Sequence, residues 1–549
     1  MIYFDAFTRF GFRPAKHASY PYTLEHLIEE LRYCSISGAL VLHEAQLRYD
    51  AMFENRRLTE LLADHDNLFP LWNVYPHWTQ EMPEPDKLLG ELERHDVRAV
   101  TIFPNTNGWN ALSRTSEPLL KALEAARILV IVDASEELLP PQVEELAQRY
   151  PDLPVLLHKT HWLRQRLIVP LILRYRNLHT TFDHLQMNRG VEWLTEQGCE
   201  DQLVFASNAT YMAAGAHRFY VDYAEVSEAV RAKIAGGNLT RLLKGQAPRR
   251  EVQNAQEDAI MTEARQGKPL STLVLDFHAH MLDEGLNGAG GSCTMLDGGP
   301  RGTHRLAQRM GVDGIGIMSW NGLMVPDTRD GNRCVIDAMN AVPGFYWGLA
   351  TFDVIHDSPD VLRQKMEELF QDPRFLGLKP YTTFGYRYDH EKYRPWWEFG
   401  NELGLYAALH PNHWDLSEFD SLCPRYPNLT FVAYHCGHSY EVADTVIDRA
   451  RKYPNFMAEI TLTPTCMGII DYLVEGAGAD RVLYGSDLPM RDPRQQLGWV
   501  VYSRLPLDQK TMVLGGNAQA LLEKVRTNRE AAMSGRQPAG VARPITDCL

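Results

Sequence analysis

The feature that most constrains this chain is that it repeats itself. DRVLYGSDLPM (480–490) resembles DQLVFASNATYM (201–212), and VLGGNAQALLEK (513–524) resembles IAGGNLTRLLKG (234–245), both at an offset of 279. RYPNLTFVAYH (425–435) matches RYPDLPVLLHK (149–159) at 276, and VLDFHAH (274–280) matches IYFDAFTRF (2–10) at 271. The order is kept while the offset drifts by a few residues, as small loop insertions would produce. Chance similarity does not keep order. The fold must therefore be one that half of 549 residues can complete, twice.

Short apolar runs alternate with amphipathic stretches. In the second copy LVLDFHA, GIGIMSW, FYWGLAT, FLGLKPY, LYAALHP, LTFVAYH, NFMAEIT and RVLYGSD read as strands. Between them, segments such as PDVLRQKMEELFQD and YEVADTVIDRARKY carry apolar residues at three- and four-residue spacing. Eight strand–helix units in roughly 250 residues predict a closed (β/α)8 barrel of the TIM type rather than an open doubly wound sheet. The first copy gives a similar series, from IYFDAF and GALVLHE to QLVFASN. The expected architecture is α/β: a barrel over 1–244, a polar linker over 245–272, a second barrel over 273–525, and from Arg526 a surface-draped or poorly ordered tail to 549.

Composition removes other classes. At 45% hydrophobic the chain is not disordered, and no apolar run approaches the 18 residues of a membrane span. The opening MIYFDAFTRFGF lacks the basic and apolar regions of a secretion signal. A net charge of -15 argues against nucleic acid or an anionic membrane as partner and leaves a small molecule. Cys numbers 8 with no CxxC pair, so neither a disulfide framework nor a Cys-type zinc site is expected, and the compartment reads as the reducing cytoplasm.

In a barrel of this kind, C-terminal strand ends face the active site. In the second copy they carry His278 and His280 on the first strand, Lys379 on the fourth and His410 on the fifth. His435 is on the sixth, with His438 three residues on, and Asp487 is on the eighth. Residues i and i+2 share a strand face, so His278 and His280 point into one mouth, spaced to hold one cation. Histidine and carboxylate ligands suit Zn²⁺ first, then Mn²⁺ or Fe²⁺. Singly each residue is ordinary: GSD is often a turn, and a strand histidine is often packed. The ordered set is not.

This set resembles the amidohydrolase superfamily, most of all its amidohydrolase-related branch, which includes metal-dependent hydrolases and aminocarboxymuconate-semialdehyde-type decarboxylases. DFHAH (276–280), DPRFLGLKPY (372–381), PWWEFGNELGLYAALHP (395–411), YHCGH (434–438) and YGSDLPMRDPRQQLGWV (484–500) carry the resemblance. It implies His278, His280, His410, His435 and Asp487 as ligands of one divalent metal that activates a water. Asp487 would take the water's proton, and His435 or His438 would polarise or protonate the substrate. Lys379 or Arg491 would hold an anionic substrate group. In binuclear relatives a carboxylated lysine on the fourth strand bridges two metals; substrate contact suits Lys379 better. Trp320 and Tyr381, with Phe384, Tyr386, Trp414 and Tyr440, put rings near the mouth, as a flat or ring-shaped substrate needs. Hydrolysis of a lactone, amide or related bond is the first expectation. Decarboxylation of an aromatic or muconate-type acid is the second, and a non-catalytic ligand-binding scaffold the third. Both histidines of the HxH are present, and His438 stands where some such decarboxylases carry Glu, which favours hydrolysis. Related single-barrel enzymes pair, so a homodimer, or fused halves standing in for one, is expected.

The first copy is a built-in control. Phe7 and Arg9 stand for His278 and His280, Phe103 for Lys379, Asp133 for His410 and Asn208 for Asp487. His435 falls on Lys159 or, with a one-residue shift, on His158. An arginine in place of a ligand repels a metal, so this barrel should lack one. His158 and His161 remain, but two rings without a carboxylate do not close a coordination sphere.

Overall fold

The computed structural model describes residues 1–288, 293–461 and 466–534. The chain forms two compact units, Met1–Glu257 with Gly290–Thr294, and Asp258–Ala289 with Met295–Leu549.

The first unit holds β1 (Phe4–Phe10), β2 (Gly38–His43), β3 (Leu68–Pro70), β4 (Trp72–Asn73), β5 (Ala99–Ile102), β6 (Leu129–Asp133), β7 (Val155–His158) and β8 (Leu178–Thr180). β1–β2–β3 and β4 through β8 form two parallel ribbons. Leu71 joins them: it separates β3 from β4 and donates its N–H to Val41 O at 2.9 Å. Leu203–Phe205 supplies the last rung, bridging Thr180 on one side. On the other, Phe205 O accepts from Ala6 N at 3.0 Å, which closes the ring. Inside lie Phe4, Ala6, Leu40, Leu42, Leu71, Ala99, Leu129, Ile131, Leu156 and Val204, and also Phe7 and Phe103.

The second unit holds β9 (Leu275–Met281), β10 (Gly314–Ser319), β11 (Tyr346–Ala350), β12 (Phe375–Leu378), β13 (Tyr406–Leu409), β14 (Thr430–Ala433), β15 (Phe456–Glu459) and β16 (Val482–Leu483). They pair in that order in one parallel sheet. The sheet closes where Phe277 N donates to Tyr484 O at 3.0 Å and Ala279 bridges Leu488. Both units are thus (β/α)8 barrels. The outer helices form for local reasons. In Tyr440–Lys452, Ser439 caps the Val442 N–H, and Ala443, Val446, Ile447 and Ala450 make the buried stripe at three- and four-residue spacing. No helix among the described residues is long and apolar enough to cross a membrane.

Both units end in the same device, a π-helical turn at Lys233–Gly237 and at Met512–Gly516. A Cβ on Gly236 would lie 2.9 Å from Ile2 O, and one on Gly515 would lie 2.4 Å from Leu273 O. Only glycine lets the turn touch the chain just before the first strand.

Parts of the expected linker are tied down. Val252 N and Asn254 N donate to Ser37 Oγ and Ser35 Oγ at 3.1 and 2.9 Å, and Ala259–Arg265 is a helix capped by Asp258. The tail expected from Arg526 begins later: the last helix runs Asn517–Met533. Buried Arg529 secures it, donating to the carbonyls of Phe375 at 2.8 Å and Asp372 at 2.9 Å. Residues 535–549 lie outside the described residues.

Candidate metal centre

The centre is built where β9 meets the Gly485–Asp487 segment. Buried Asp276 accepts from His278 N at 3.1 Å, Ser486 N at 3.0 Å and Ser486 Oγ at 2.5 Å. Asp487 N donates to His278 O at 2.7 Å. Gly485 permits this approach, since a Cβ there would meet Glu459 Oε1 at 2.3 Å and His278 Cβ at 2.7 Å. Asp487 and His435 have left-handed backbones, φ 60° and 64°, held by the surrounding bonds.

The side chains converge. His278 Nε2 and His280 Nε2 lie 3.5 and 3.0 Å from Asp487 Oδ1. On the other side of its ring, His278 Nδ1 lies 3.1 Å from Glu459 Oε2. The ring also stacks on Tyr434, centroids 3.8 Å apart. His435 Nδ1 is 2.8 Å from Thr461 O, and His435 N donates to Glu459 Oε2 at 3.2 Å. Tying Nδ1–H to an oxygen fixes the tautomer with a bare Nε2, as a metal-binding histidine needs. Burial pushes His278, His410 and His435 well below the ordinary imidazole range, which keeps their lone pairs free. Burial acts to raise Asp487, but His278, the contact from His280 and Arg491 hold its carboxyl well below the ordinary range. Neutral imidazoles around an ionised carboxylate form a donor set that fits one divalent ion.

Other expected residues surround this knot. The His410 ring is 4.6 Å from that of His435 and 5.3 Å from Tyr381, outside the groups of potential ligands formed by His278, His280 and Asp487 and by His278, His435 and Glu459. His438 lies tilted against Trp414, ring centroids 4.3 Å apart. Arg491 Nε lies 3.2 Å from Asp487 Oδ2, and Trp320 packs edge-on to His280 at 5.1 Å. Lys379 is fully buried with no hydrogen-bond acceptor on Nζ, which sits 4.1 Å over the Tyr434 ring and 5.6 Å from that of Tyr381. Burial pulls its ammonium down to about 7. Tyr440 turns away and donates to Met467 O at 2.7 Å.

The first unit keeps the frame and changes the tips. Phe7 stacks on His158 at 3.9 Å as His278 stacks on Tyr434. His158 therefore stands for Tyr434, and Lys159, with φ 50°, stands for His435. Lys159 Nζ pairs with Asp133 Oδ2 at 3.0 Å. Arg9 reaches Asn208 Oδ1 at 3.1 Å and Glu44 Oε1 at 3.4 Å, 3.5 Å over the Tyr211 ring. His161 caps Leu163 N at 3.1 Å. Among the described residues, both groups of three or more potential ligands lie in the second unit.

A family model described as Amidohydrolase matches residues 12–245 and again 276–524. The chain belongs to this family. Comparison with curated proteins found no match. Among solved structures, this amidohydrolase is similar to an uncharacterised TIM-barrel protein of Bordetella bronchiseptica at 15% identity and TM-score 0.38, covering 46% of this chain and 99% of that one. It is similar to 5-carboxyvanillate decarboxylase LigW of Sphingomonas paucimobilis at 16% and 0.34, covering 46% and 99%. A dihydroxybenzoic acid decarboxylase of Polaromonas sp. JS666 with bound manganese stands at 16% and 0.34, covering 46% and 97%. In each case the share covered is about one barrel of this amidohydrolase.

Sequence reading of the amidohydrolase missed Glu459, the residue that orients His278 and the His435 backbone. Its one signal was an acid at the end of the otherwise apolar run NFMAEIT. It also missed Asp276 and Tyr434, which lie inside the quoted motifs.

Proposed function

We propose that the second barrel is a mononuclear metal-dependent hydrolase acting on a small carboxylated or ring-containing compound. The convergence of His278 Nε2, His280 Nε2 and Asp487 Oδ1 carries this reading. These three residues would hold the ion, with His410 completing the donor set and Glu459 keeping His278 in the required tautomer. A divalent ion there, Zn²⁺ first and Mn²⁺ or Fe²⁺ next, supplies a Lewis acid for water and a substrate oxygen.

The chain's own residues do the rest. The Asp487 carboxylate accepts the proton of the attacking water and returns it to the leaving group. His435, with Nδ1–H held by Thr461 O, would turn the lone pair of Nε2 to the ion or to a substrate hydroxyl, and His438 would polarise or protonate the substrate oxygen. Arg491 and Lys379 are the cations that a substrate carboxylate would meet. Trp320 and Tyr381 form apolar walls for a ring. Elemental analysis of the purified protein tests the reading: one metal per chain supports it, and none overturns it. Two would promote a carboxylated Lys379.

Decarboxylation is the second reading, favoured by Lys379 itself. A buried amine near 7 can hand a proton to a carbon from which carbon dioxide departs. Assaying carbon dioxide release from aromatic and muconate-type acids against ring opening of lactones separates the two.

A further inference from the structure

At the N-terminal strand ends of β6, β7 and β8, opposite to Asp133 and Lys159, the first unit opens a cleft of about 530 Å³. Arg127, Arg176, Arg241 and Lys244 line it with a single carboxylate, Asp152. Arg127 is paired with Asp152 at 2.9 Å. The other three cations rest on neutral oxygens. Arg176 donates to Gly198 O at 3.2 Å and Gln202 Oε1 at 2.8 Å, Arg241 to Asp201 O at 2.7 Å, and Lys244 to Ala126 O at 2.5 Å. These bonds aim the side chains without neutralising them. His179, 4% exposed, also lines the cleft, and its Nδ1 has no hydrogen-bond partner. A buried ring nitrogen left open is costly unless something outside the chain meets it.

The duplication supplies the comparison. Asn177 Nδ2 reaches the carbonyls of Ala147, Tyr150 and Leu153, as Asn455 Nδ2 reaches those of Cys423, Tyr426 and Leu429. Asn238 Nδ2 reaches Glu200 O and Leu203 O, as Asn517 Nδ2 reaches Ala479 O and Val482 O. This register places Pro454 at Arg176, Met457 at His179, Ala520 at Arg241 and Glu523 at Lys244. Left-handed Gly404 stands at left-handed Arg127. Arg481 stands at Gln202 and has its own carboxylate, Asp480, at 3.6 Å. The second copy therefore lacks the cluster, and a chain of net charge -15 has concentrated uncompensated cations at one place.

We propose that this cleft of the first unit binds a small ligand bearing an oxyanion group of charge −2 or more. Guanidinium forks and an ammonium around one concavity suit such a group, and a monovalent ion would leave the excess charge unmet. His179 Nδ1 takes a hydroxyl of the same ligand. The first barrel thus carries a second binding site, remote from its own emptied strand ends.

Calorimetric titration of the full chain with inorganic phosphate, and separately with citrate, in ~0.15 M salt tests this. Saturable binding at one site per chain is expected, weakened roughly tenfold or more by Arg241→Gln and by Lys244→Gln. Lys379→Met, in the other unit, should leave it unchanged. The tighter of the two probes identifies phosphate or polycarboxylate as the ligand chemistry. Each variant is first checked for an unaltered melting curve, and either alone suffices if the other misfolds. Absence of saturable binding by both probes overturns the proposal. So does binding that survives both first-unit variants or disappears with Lys379→Met.

Discussion

The strand-end sites of the two barrels share a frame and differ at the tips. Asp5 locks Ser207 as Asp276 locks Ser486. Lys159 and Asn208 keep the left-handed backbones of His435 and Asp487. Even the acid that braces the sixth-strand turn is kept, though moved. Thr461 donates to Glu459 in one copy, while in the other Thr181 donates to Asp183, so acid and threonine have exchanged places. The strained turns are therefore scaffold, and the ligands are a separable layer upon it. In the first unit that layer has become ion pairs, Lys159–Asp133 and Arg9–Glu44, and apolar core, Phe7 and Phe103. Burying two phenylalanines contributes about 1.5–3 kcal/mol each, a gain open to a barrel relieved of ligands.

The strongest test of this contrast is Asp487→Asn, which gives the second barrel the residue already present at Asn208. Turnover should fall on the order of 10³-fold or more while the circular dichroism spectrum is unchanged. Near-normal activity would break the assignment. Glu459→Gln should cost on the order of 10–100-fold in metal affinity, read by competition with a chelator, because His278 loses the partner of Nδ1. Lys159→Met should destabilise the protein by about 2 kcal/mol in denaturant titration, since Asp133 is left buried without its cation, and metal content should not change.

The remaining effect concerns acid. Burial holds His158 at about 4, so its neutral form favours the fold. That contribution is complete above the ordinary value near 6.5 and is lost as pH falls towards 4. His158→Tyr, which installs the counterpart of Tyr434, should flatten the fall of unfolding free energy in that window by about 1.4 kcal/mol per pH unit. An unchanged slope would show that this ring is not held neutral.

The duplication, both barrels and the HxH–His–Asp set were legible because each rests on order and spacing. What escaped rests on contacts between distant segments. Glu459 is one acid in a short buried strand, and only the fold brings it to His278. The choice between Lys159 and His158 turned on a ring stack and a left-handed backbone that both copies share, neither of which leaves a trace in composition. The last helix outran its expected end because its anchor, Arg529, binds carbonyls near residue 372. The cationic cleft is assembled from residues that precede three strands and from the last helix of the barrel, so no motif announces it.

The π-helical turn that seats on the first strand carries a consequence for synthesis. A barrel whose closing piece is its last can complete itself only after Gly236 or Gly515 has been made. At roughly 5–20 residues per second, the first barrel has about 15–60 s to close before the second is finished. The second gains its own clamp only once Gly515 has been made. A nascent chain halted before Gly515 would then carry a finished first barrel and an unsealed second one that holds the candidate ligand groups.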